Sequence, residues 1–173
     1  LGGSEMGIRD RTVADGDAIL GKPANTDEAW AMLRQLRGRA HQVYTALTVI
    51  EVATGRAITD IAVTDVPMRQ YSDAEIAAYI ASGDPFDKAG GYAIQHAGFR
   101  PAVLTSGCFA NVVGLPLCHL LRVLRQLGVE ARADVPERCQ ACLLYTSDAA
   151  DDLPRVDLGC LRILKKKKNT THP

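Results

Sequence analysis

The sequence predicts an α/β fold in which helices flank a mixed, twisted β-sheet. Three observations support this prediction: helical and strand-like periodicities alternate along the chain, two strand-like runs are separated by a turn sequence, and the helical runs carry start and stop signals. With 173 residues, the chain has the length of a single domain and can bury a core of ordinary size.

The first half of the chain is predicted to form a helix followed by a β-hairpin. The helix covers about residues 27–37, with capping side chains just before it and Gly38 at its stop position. Residues 41–52 are rich in β-branched side chains, and residues 57–64 alternate apolar and polar side chains. Because the turn-forming residues 53–56 lie between these runs, the two strands are predicted to pair.

The second half is predicted to hold two helices and one strand. Ser72 and Glu75 form the capping box of a helix that ends at Gly83. Residues 100–104 are a strand candidate. A leucine-rich helix covers about residues 116–127, where a proline suits the first turn and leucines form the buried face.

The two ends of the chain differ in character from the rest. Residues 144–152 show neither helical nor strand periodicity and lead to the four lysines 165–168. A solvated end is one interpretation of these lysines, and a nucleic-acid-binding tail is the other. We expect a non-native segment at residues 1–11, one domain at residues 12–141, and a disordered or non-native tail at residues 142–173.

Composition argues against several classes of protein. Twenty basic and 20 acidic residues give zero formal net charge, and aromatic residues make up 5%, so nucleic acid is not expected as a partner. No apolar run approaches the ~20 residues of a membrane span, and no signal peptide is recognisable, so no membrane partner is expected. The five cysteines are odd in number and predict reduced thiols in a cytoplasmic protein.

Two segments carry residues that folding alone does not demand. Gly21-Lys22-Pro23 follows an apolar pair, and its lysine can neutralise phosphate oxygens or be a solvated lysine in a surface turn. Residues 82–95 contain two carboxylates, Asp84 and Asp87, which can hold Mg²⁺. In the same segment, Gln95 can read the edge of a base. The alternative for this segment is a polar turn with an incidental glutamine.

A third segment, residues 111–117, precedes the leucine-rich helix. A helix N-terminus can bind an anion through its free backbone N–H groups. The other interpretation is a purely structural connection that leads into a core-packing helix.

In this order and spacing, the segments resemble the Maf family of septum-formation-inhibitor-like nucleoside triphosphate pyrophosphatases. The resemblance spans about residues 12–130. Its Asp-Lys-Ala-Gly and Tyr-x-Ile-Gln pattern, in residues 87–95, is similar to the subgroup that acts on dTTP and UTP. The matching stretches are residues 19–23, 36–45, 75–80, 82–95 and 111–117.

The resemblance implies cleavage between the α and β phosphates of a nucleoside triphosphate, with Mg²⁺ or Mn²⁺ as the metal. Asp10 would be the catalytic aspartate and metal ligand, although Arg11 stands where the family has threonine. Lys22 would be catalytic by binding phosphate, Asp87 and Lys88 would line the substrate pocket, and Gln95 would select a pyrimidine.

The resemblance also implies a two-lobed domain with the site in the cleft, and a role in removing non-standard or excess nucleotides. Members of the family often form homodimers, so a homodimer is a candidate assembly. The strand and arginine-containing loop with which the family begins are not found in this chain, so we expect weak activity or none from it. The alternative is a catalytically inactive nucleotide-binding protein that affects cell division.

Overall fold

The computed structural model describes residues 4–8, 11–103, 107–130 and 135, with residues 4–8 described through their backbone. Within these ranges, a five-stranded sheet is covered by helices, which confirms the α/β class. The strands are β1 (Ser4–Ile8), β2 (Thr12–Asp15), β3 (Ala18–Leu20), β4 (Ala40–Glu51) and β5 (Arg56–Pro67). The helices are α1 (Thr26–Leu36), α2 (Asp73–Ala81), α3 (Phe109–Val113) and α4 (Leu117–Gln126), and two 3₁₀ turns cover Asp84–Asp87 and Ala89–Gly91.

Strand β4 is the centre of the sheet. β5 pairs with it along its whole length, from Ala40 opposite Pro67 to Glu51 opposite Arg56, so the predicted hairpin is confirmed. On the other side of β4, β1 and β2 pair with different parts of the strand, and β3 pairs with β2.

Every strand pair in the described part of the chain is antiparallel, whereas a mixed sheet was predicted. Short connections explain two of these four pairs. Two residues join β2 to β3 and four join β4 to β5. Connections of this length can only return the chain in the opposite direction, because parallel strands need a crossover of a dozen or more residues.

Both helices predicted from capping signals begin where expected. The Asn25 side chain accepts a hydrogen bond from the backbone N–H of Glu28 at the start of α1. At the start of α2, the Ser72 hydroxyl accepts from the Glu75 N–H, and the Glu75 carboxylate accepts from the Ser72 N–H. These bonds satisfy backbone donors that have no partner inside the helix.

Two groups of buried side chains hold the helices on the sheet. The larger joins α1 and α2 to the sheet and to the 3₁₀ turns, and the smaller places α4 over the far end of β4. The first contains Val13, Leu20, Leu33, Leu36, Val43, Val66, Ile76, Tyr79, Ala89 and Tyr92. The second contains Leu47, Val49, Leu120 and Val123.

The predicted strand at residues 100–104 is wrong within its described part. In place of a strand there is one isolated bridge between Met68 and Ala102, with backbone hydrogen bonds from Arg69 N–H to Pro101 and from Val103 N–H to Pro67. Arg100 has a left-handed backbone with φ of 42°, and Pro101 has no N–H to donate to a neighbouring strand. Leu104 lies outside the described residues.

The predicted domain limits, residues 1–11, 12–141 and 142–173, stay predictions, because the tail and part of the first segment lie outside the described residues. In the part of the chain that the structure describes, no helix is both long and apolar enough to cross a membrane.

Candidate functional site

Two of the segments singled out from the sequence lie against each other. The backbone N–H of Gly90 donates to the carbonyl oxygen of Gly21 at 2.9 Å. Leu20 and Ala89, the neighbours of these segments on the core side, belong to the same buried cluster. The turn that carries Lys22 and the turn that carries Lys88 are therefore fixed relative to each other.

The contact requires glycine in the second turn. Gly90 has a φ of 74°, in the left-handed region that side-chain-bearing residues rarely adopt. A Cβ at Gly90 would lie 3.1 Å from Cγ1 of Val13, which is tighter than ordinary van der Waals contact. The close approach of this turn to β2 therefore depends on the missing side chain.

Lys22 is exposed, two residues beyond the end of β3, whereas the next residue, Pro23, is buried. The buried proline fixes where the chain leaves the turn. Lys22 thus lies on a turn whose exit is fixed, and the residue is exposed at the surface.

Lys88 is held by two carboxylates. Its ammonium donates to the backbone oxygen and Oδ1 of Asp84, both at 3.0 Å, and to Oδ1 of Asp87 at 2.6 Å. Although partial burial opposes the charge, the hydrogen bonds to Asp87 and Asp84 raise the pKa of Lys88 above its ordinary value. Lys88 is therefore a permanent cation beside Lys22's turn.

The carboxylates of this segment do not fit a metal site. Asp84 and Asp87 both accept from Lys88, and Asp84 also accepts from a tyrosine hydroxyl. Among the described residues, no three His, Cys, Asp or Glu side chains lie close enough to hold a metal ion together. Asp10, the metal ligand and catalytic residue implied by the resemblance, lies outside the described residues.

Tyr79 is a site residue that the sequence analysis missed as such. Its hydroxyl donates to Oδ2 of Asp84 at 2.7 Å and accepts from the backbone N–H of Ala93 at 3.0 Å. In the sequence, Tyr79 lies three positions after Ile76 in the predicted helix, which indicates only that the two residues share its buried face. The available signal was the hydroxyl itself, because a buried tyrosine usually finds a hydrogen-bond partner.

Gln95 lies in the turn that follows, two residues beyond Ala93, and its side chain is exposed. The preceding residue, Ile94, packs against the main core. The turn is therefore attached to the core through Ile94 while the Gln95 amide remains accessible to a ligand.

His41 and Tyr92 form a buried pair beneath these turns, which was also missed. Nε2 of His41 lies 2.7 Å from the Tyr92 hydroxyl, and the two rings meet edge to face. Burial, against a smaller opposing effect of Asp15, lowers the pKa of His41 from 6.5 to about 4. His41 is therefore neutral at physiological pH.

Arg11, which replaces the expected threonine, has a structural use in this chain. Its guanidinium donates to the backbone oxygens of Val112 and Val113 at 3.0 and 3.1 Å, and to that of Tyr92 at 3.4 Å. The arginine thus links the residue before β2 to α3 and to Tyr92, which follows Gly90 and Gly91.

The segment 111–117 has structural bonds at its first residue. The Asn111 side chain is fully buried and donates to the Val43 carbonyl and to the Thr64 hydroxyl. These bonds join α3 to β4 and β5, in keeping with the structural interpretation of this segment. Pro116 precedes α4 without a side-chain cap.

Comparison with known proteins places these features in a family. A family profile described as "Maf-like protein" matches residues 8–127. A "dTTP/UTP pyrophosphatase" of Thermomicrobium roseum is 47% identical over 135 residues, which cover 75% of this chain and 61% of the relative. Proteins of the same name from Desulforamulus reducens and Carboxydothermus hydrogenoformans are 43% and 44% identical, covering 70% and 69% of this chain.

The chain spans 61 to 64% of the length of these three relatives. The matched region contains both lysine-bearing turns and the turn with Gln95.

Proposed function

The chain belongs to the Maf family, and from this premise we propose that the protein is a cytoplasmic nucleoside triphosphate pyrophosphatase acting on dTTP and UTP. The observation that carries the proposal is the contact between Gly90 and Gly21, which holds the Lys22 and Lys88 turns together. The printed names of relatives at 43 to 47% identity support the choice of substrate.

The two lysines suit the phosphate half of the substrate. A triphosphate carries several negative charges, and water is the attacking group in its hydrolysis. Lys22 and Lys88 lie on turns whose backbones are fixed relative to each other, and their ammonium groups can bind phosphate oxygens. Catalysis at such a site consists mainly of positioning and of stabilising negative charge.

Asp10 is proposed as the catalytic aspartate that orients or deprotonates the water, and as a ligand of Mg²⁺ or Mn²⁺. A bound divalent ion would neutralise phosphate charge.

Gln95 is proposed to select the base, with Asp87 lining the pocket beside Lys88. Uracil and thymine present two carbonyl groups on either side of an N–H, and one glutamine amide can pair with part of that edge. The exposed position of Gln95 supports this role, because the amide is accessible to a ligand. The two-lobed cleft and a homodimer remain part of the proposal.

The test is turnover by the protein expressed from its complete gene. We expect pyrophosphate release from dTTP and UTP in the presence of Mg²⁺, and slower release from CTP, ATP and GTP. Calorimetry on the same protein separates the alternatives. Nucleotide binding without turnover would support the inactive nucleotide-binding protein, and neither binding nor turnover would contradict both.

A further inference from the structure

A chain of hydrogen bonds connects the turn that carries Gln95 to the ammonium of Lys88. The backbone N–H of Ala93 donates to the Tyr79 hydroxyl, which donates to Oδ2 of Asp84, and the other oxygen of Asp84 accepts from Lys88. The three distances are 3.0, 2.7 and 3.0 Å, all within ordinary hydrogen-bond range. The tyrosine hydroxyl uses both its donor and an acceptor position, so its orientation is fixed.

The Tyr79 ring is held as firmly as its hydroxyl. It is 2% exposed, stacks on Phe99 with ring centroids 4.4 Å apart, and meets His96 edge to face at 4.8 Å. A hydroxyl on a ring fixed in this way gives Asp84 an anchor that cannot move without repacking the core.

The two carboxylates that contact Lys88 differ in how they are held. The Asp84 side chain is 31% exposed and accepts from Tyr79 as well as from Lys88. The Asp87 side chain is 78% exposed, and Lys88 is its one side-chain partner among the described residues. Asp84 is therefore the fixed partner of the lysine and Asp87 the one that can turn away into solvent.

An incoming phosphate has to replace one of these contacts. A lysine ammonium has three N–H donors, and in this structure they are taken by the Asp84 backbone oxygen, the Asp84 carboxylate and the Asp87 carboxylate. Release of Asp87 leaves an exposed carboxylate that water can solvate. Release of Asp84 would also disturb its hydrogen bond from the Tyr79 hydroxyl. Releasing Asp84 therefore costs more free energy than releasing Asp87.

We propose that Tyr79 and Asp84 are positioning residues that hold the Lys88 ammonium for phosphate, and that Asp87 is the carboxylate that phosphate replaces. This inference rests on the proposed function for its substrate. It extends that function by linking the phosphate-binding lysine to the backbone that leads to the base-selecting Gln95.

Tyr71 offers a matched control for Tyr79. Both tyrosines are 2% exposed, both pack against Phe99, and each donates its hydroxyl to one acceptor, which for Tyr71 is the carbonyl oxygen of Leu33. Tyr71 makes no contact with Asp84 or Lys88 among the described side chains. Each substitution removes a hydroxyl that donates one hydrogen bond. Tyr79→Phe also removes the acceptor of the Ala93 N–H, and it alone unanchors Asp84.

The kinetic test compares these variants in protein from the complete gene, at a temperature where circular dichroism shows each to be folded. We expect Tyr79→Phe to lower kcat/KM for dTTP and for UTP by about tenfold, because a hydrogen bond to a charged group is lost. Tyr71→Phe should stay within about twofold of the wild type. Equal losses in the two variants would overturn the inference and leave only a structural role for Tyr79.

The two aspartates provide a second comparison. Asp84→Asn weakens the bond that holds the lysine, so kcat should fall. Asp87→Asn weakens only the contact with Lys88 that phosphate has to replace, so KM should fall and kcat should not. A fall in kcat with Asp87→Asn and not with Asp84→Asn would reverse the assignment of the two residues and contradict the proposal.

A measurement without turnover separates this inference from the proposed function. Inorganic triphosphate is titrated into the chain, and the backbone amide resonance of Ala93 is followed by NMR. We expect the resonance to shift in the wild type and in Tyr71→Phe, and to shift less in Tyr79→Phe. No shift in the wild type, or an equal shift in all three proteins, would overturn the coupling even if the enzyme hydrolyses dTTP.

Discussion

In the proposed function, Lys22 binds the phosphates of the nucleotide and Gln95 binds its base. Lys22 follows a strand and is exposed beside the Lys88 turn, and Gln95 lies exposed in a turn beyond Ala93. Phosphate contacts carry no information about the base, whereas an amide beside the base does. The two roles therefore predict different patterns of kinetic loss.

Gln95→Ala should reduce discrimination among pyrimidine and other bases by about 1–3 kcal/mol, because groups that pair with the base are left unpaired. Lys22→Ala should lower kcat/KM for every triphosphate by a similar factor. The measurement is kcat/KM for dTTP, UTP and CTP in the wild type and in both variants. Unchanged ratios in Gln95→Ala together with altered ratios in Lys22→Ala would show that the roles are assigned wrongly.

His41 predicts how stability responds to acid. Its pKa is about 4 in the folded protein and 6.5 in an unfolded chain, because burial disfavours the charged ring. The unfolded state therefore binds more protons between these values, and the stability that neutral His41 contributes above pH 6.5 is lost as the pH falls towards 4. Between pH 6.5 and 5, we expect a loss of about 1–2 kcal/mol.

Urea unfolding at pH 7.5, 6.5, 5.5 and 5.0 measures this loss. His41→Gln keeps a side chain able to hydrogen-bond the Tyr92 hydroxyl and does not titrate, so it is the control. The variant should lose less free energy of unfolding than the wild type over this range. Identical pH profiles would mean that His41 is not the group responsible.

At the scale of elements, the turn of residues 88–91 packs against the turn that carries Lys22, through the hydrogen bond from Gly90 to Gly21. Gly83 provides a control for Gly90, because their φ angles are 77° and 74° but a Cβ at Gly83 would meet nothing within 4 Å. Gly83→Ala should cost about 1 kcal/mol, for left-handed backbone alone. Gly90→Ala should cost a further 1–3 kcal/mol or so, because its Cβ would press against Val13.

The free energy of unfolding in urea gives the stability comparison, and kcat/KM gives the functional one. Activity should fall in Gly90→Ala and not in Gly83→Ala, since only the first displaces the Lys88 turn from Gly21. Equal stability losses in the two variants would show that the approach of this turn to β2 is not restricted by Val13.

Elements with local signals were predictable from the sequence. The capping box of Ser72 and Glu75 lies within four consecutive residues, and the hairpin of β4 and β5 is marked by its own turn. Local patterns also misled: residues 100–104 have strand-like composition, but Arg100 and Pro101 prevent regular pairing.

The contacts that build the candidate site were not predictable in this way. Tyr79 and Ala93 are 14 positions apart, and Gly21 and Gly90 are 69 apart, so their meeting depends on how the elements pack. Through the resemblance to a family, the sequence predicts Asp10, Lys22, Asp87, Lys88 and Gln95 as site residues, and these stay predictions. It could not show that Tyr79 and Asp84 link Lys88 to the backbone N–H of Ala93, two residues before Gln95.

At the scale of the whole molecule, a single core supports both halves of the candidate site. The buried cluster that contains side chains of α1 and α2 also contains Leu20, which precedes the Lys22 turn. It includes Ala89 and Tyr92, which flank Gly90 and Gly91. The turns that carry Lys22, Lys88 and Gln95 are therefore parts of one packed unit. We therefore expect the phosphates and the base of one nucleotide to be bound by the same packed unit.

The identity of the products tests this account most directly. The protein expressed from its complete gene is incubated with dTTP and Mg²⁺, and the reaction is followed by phosphorus NMR. Hydrolysis between the α and β phosphates consumes one water and yields dTMP and pyrophosphate, which is the predicted result. Formation of dTDP and inorganic phosphate, or no reaction with dTTP or UTP, would contradict it.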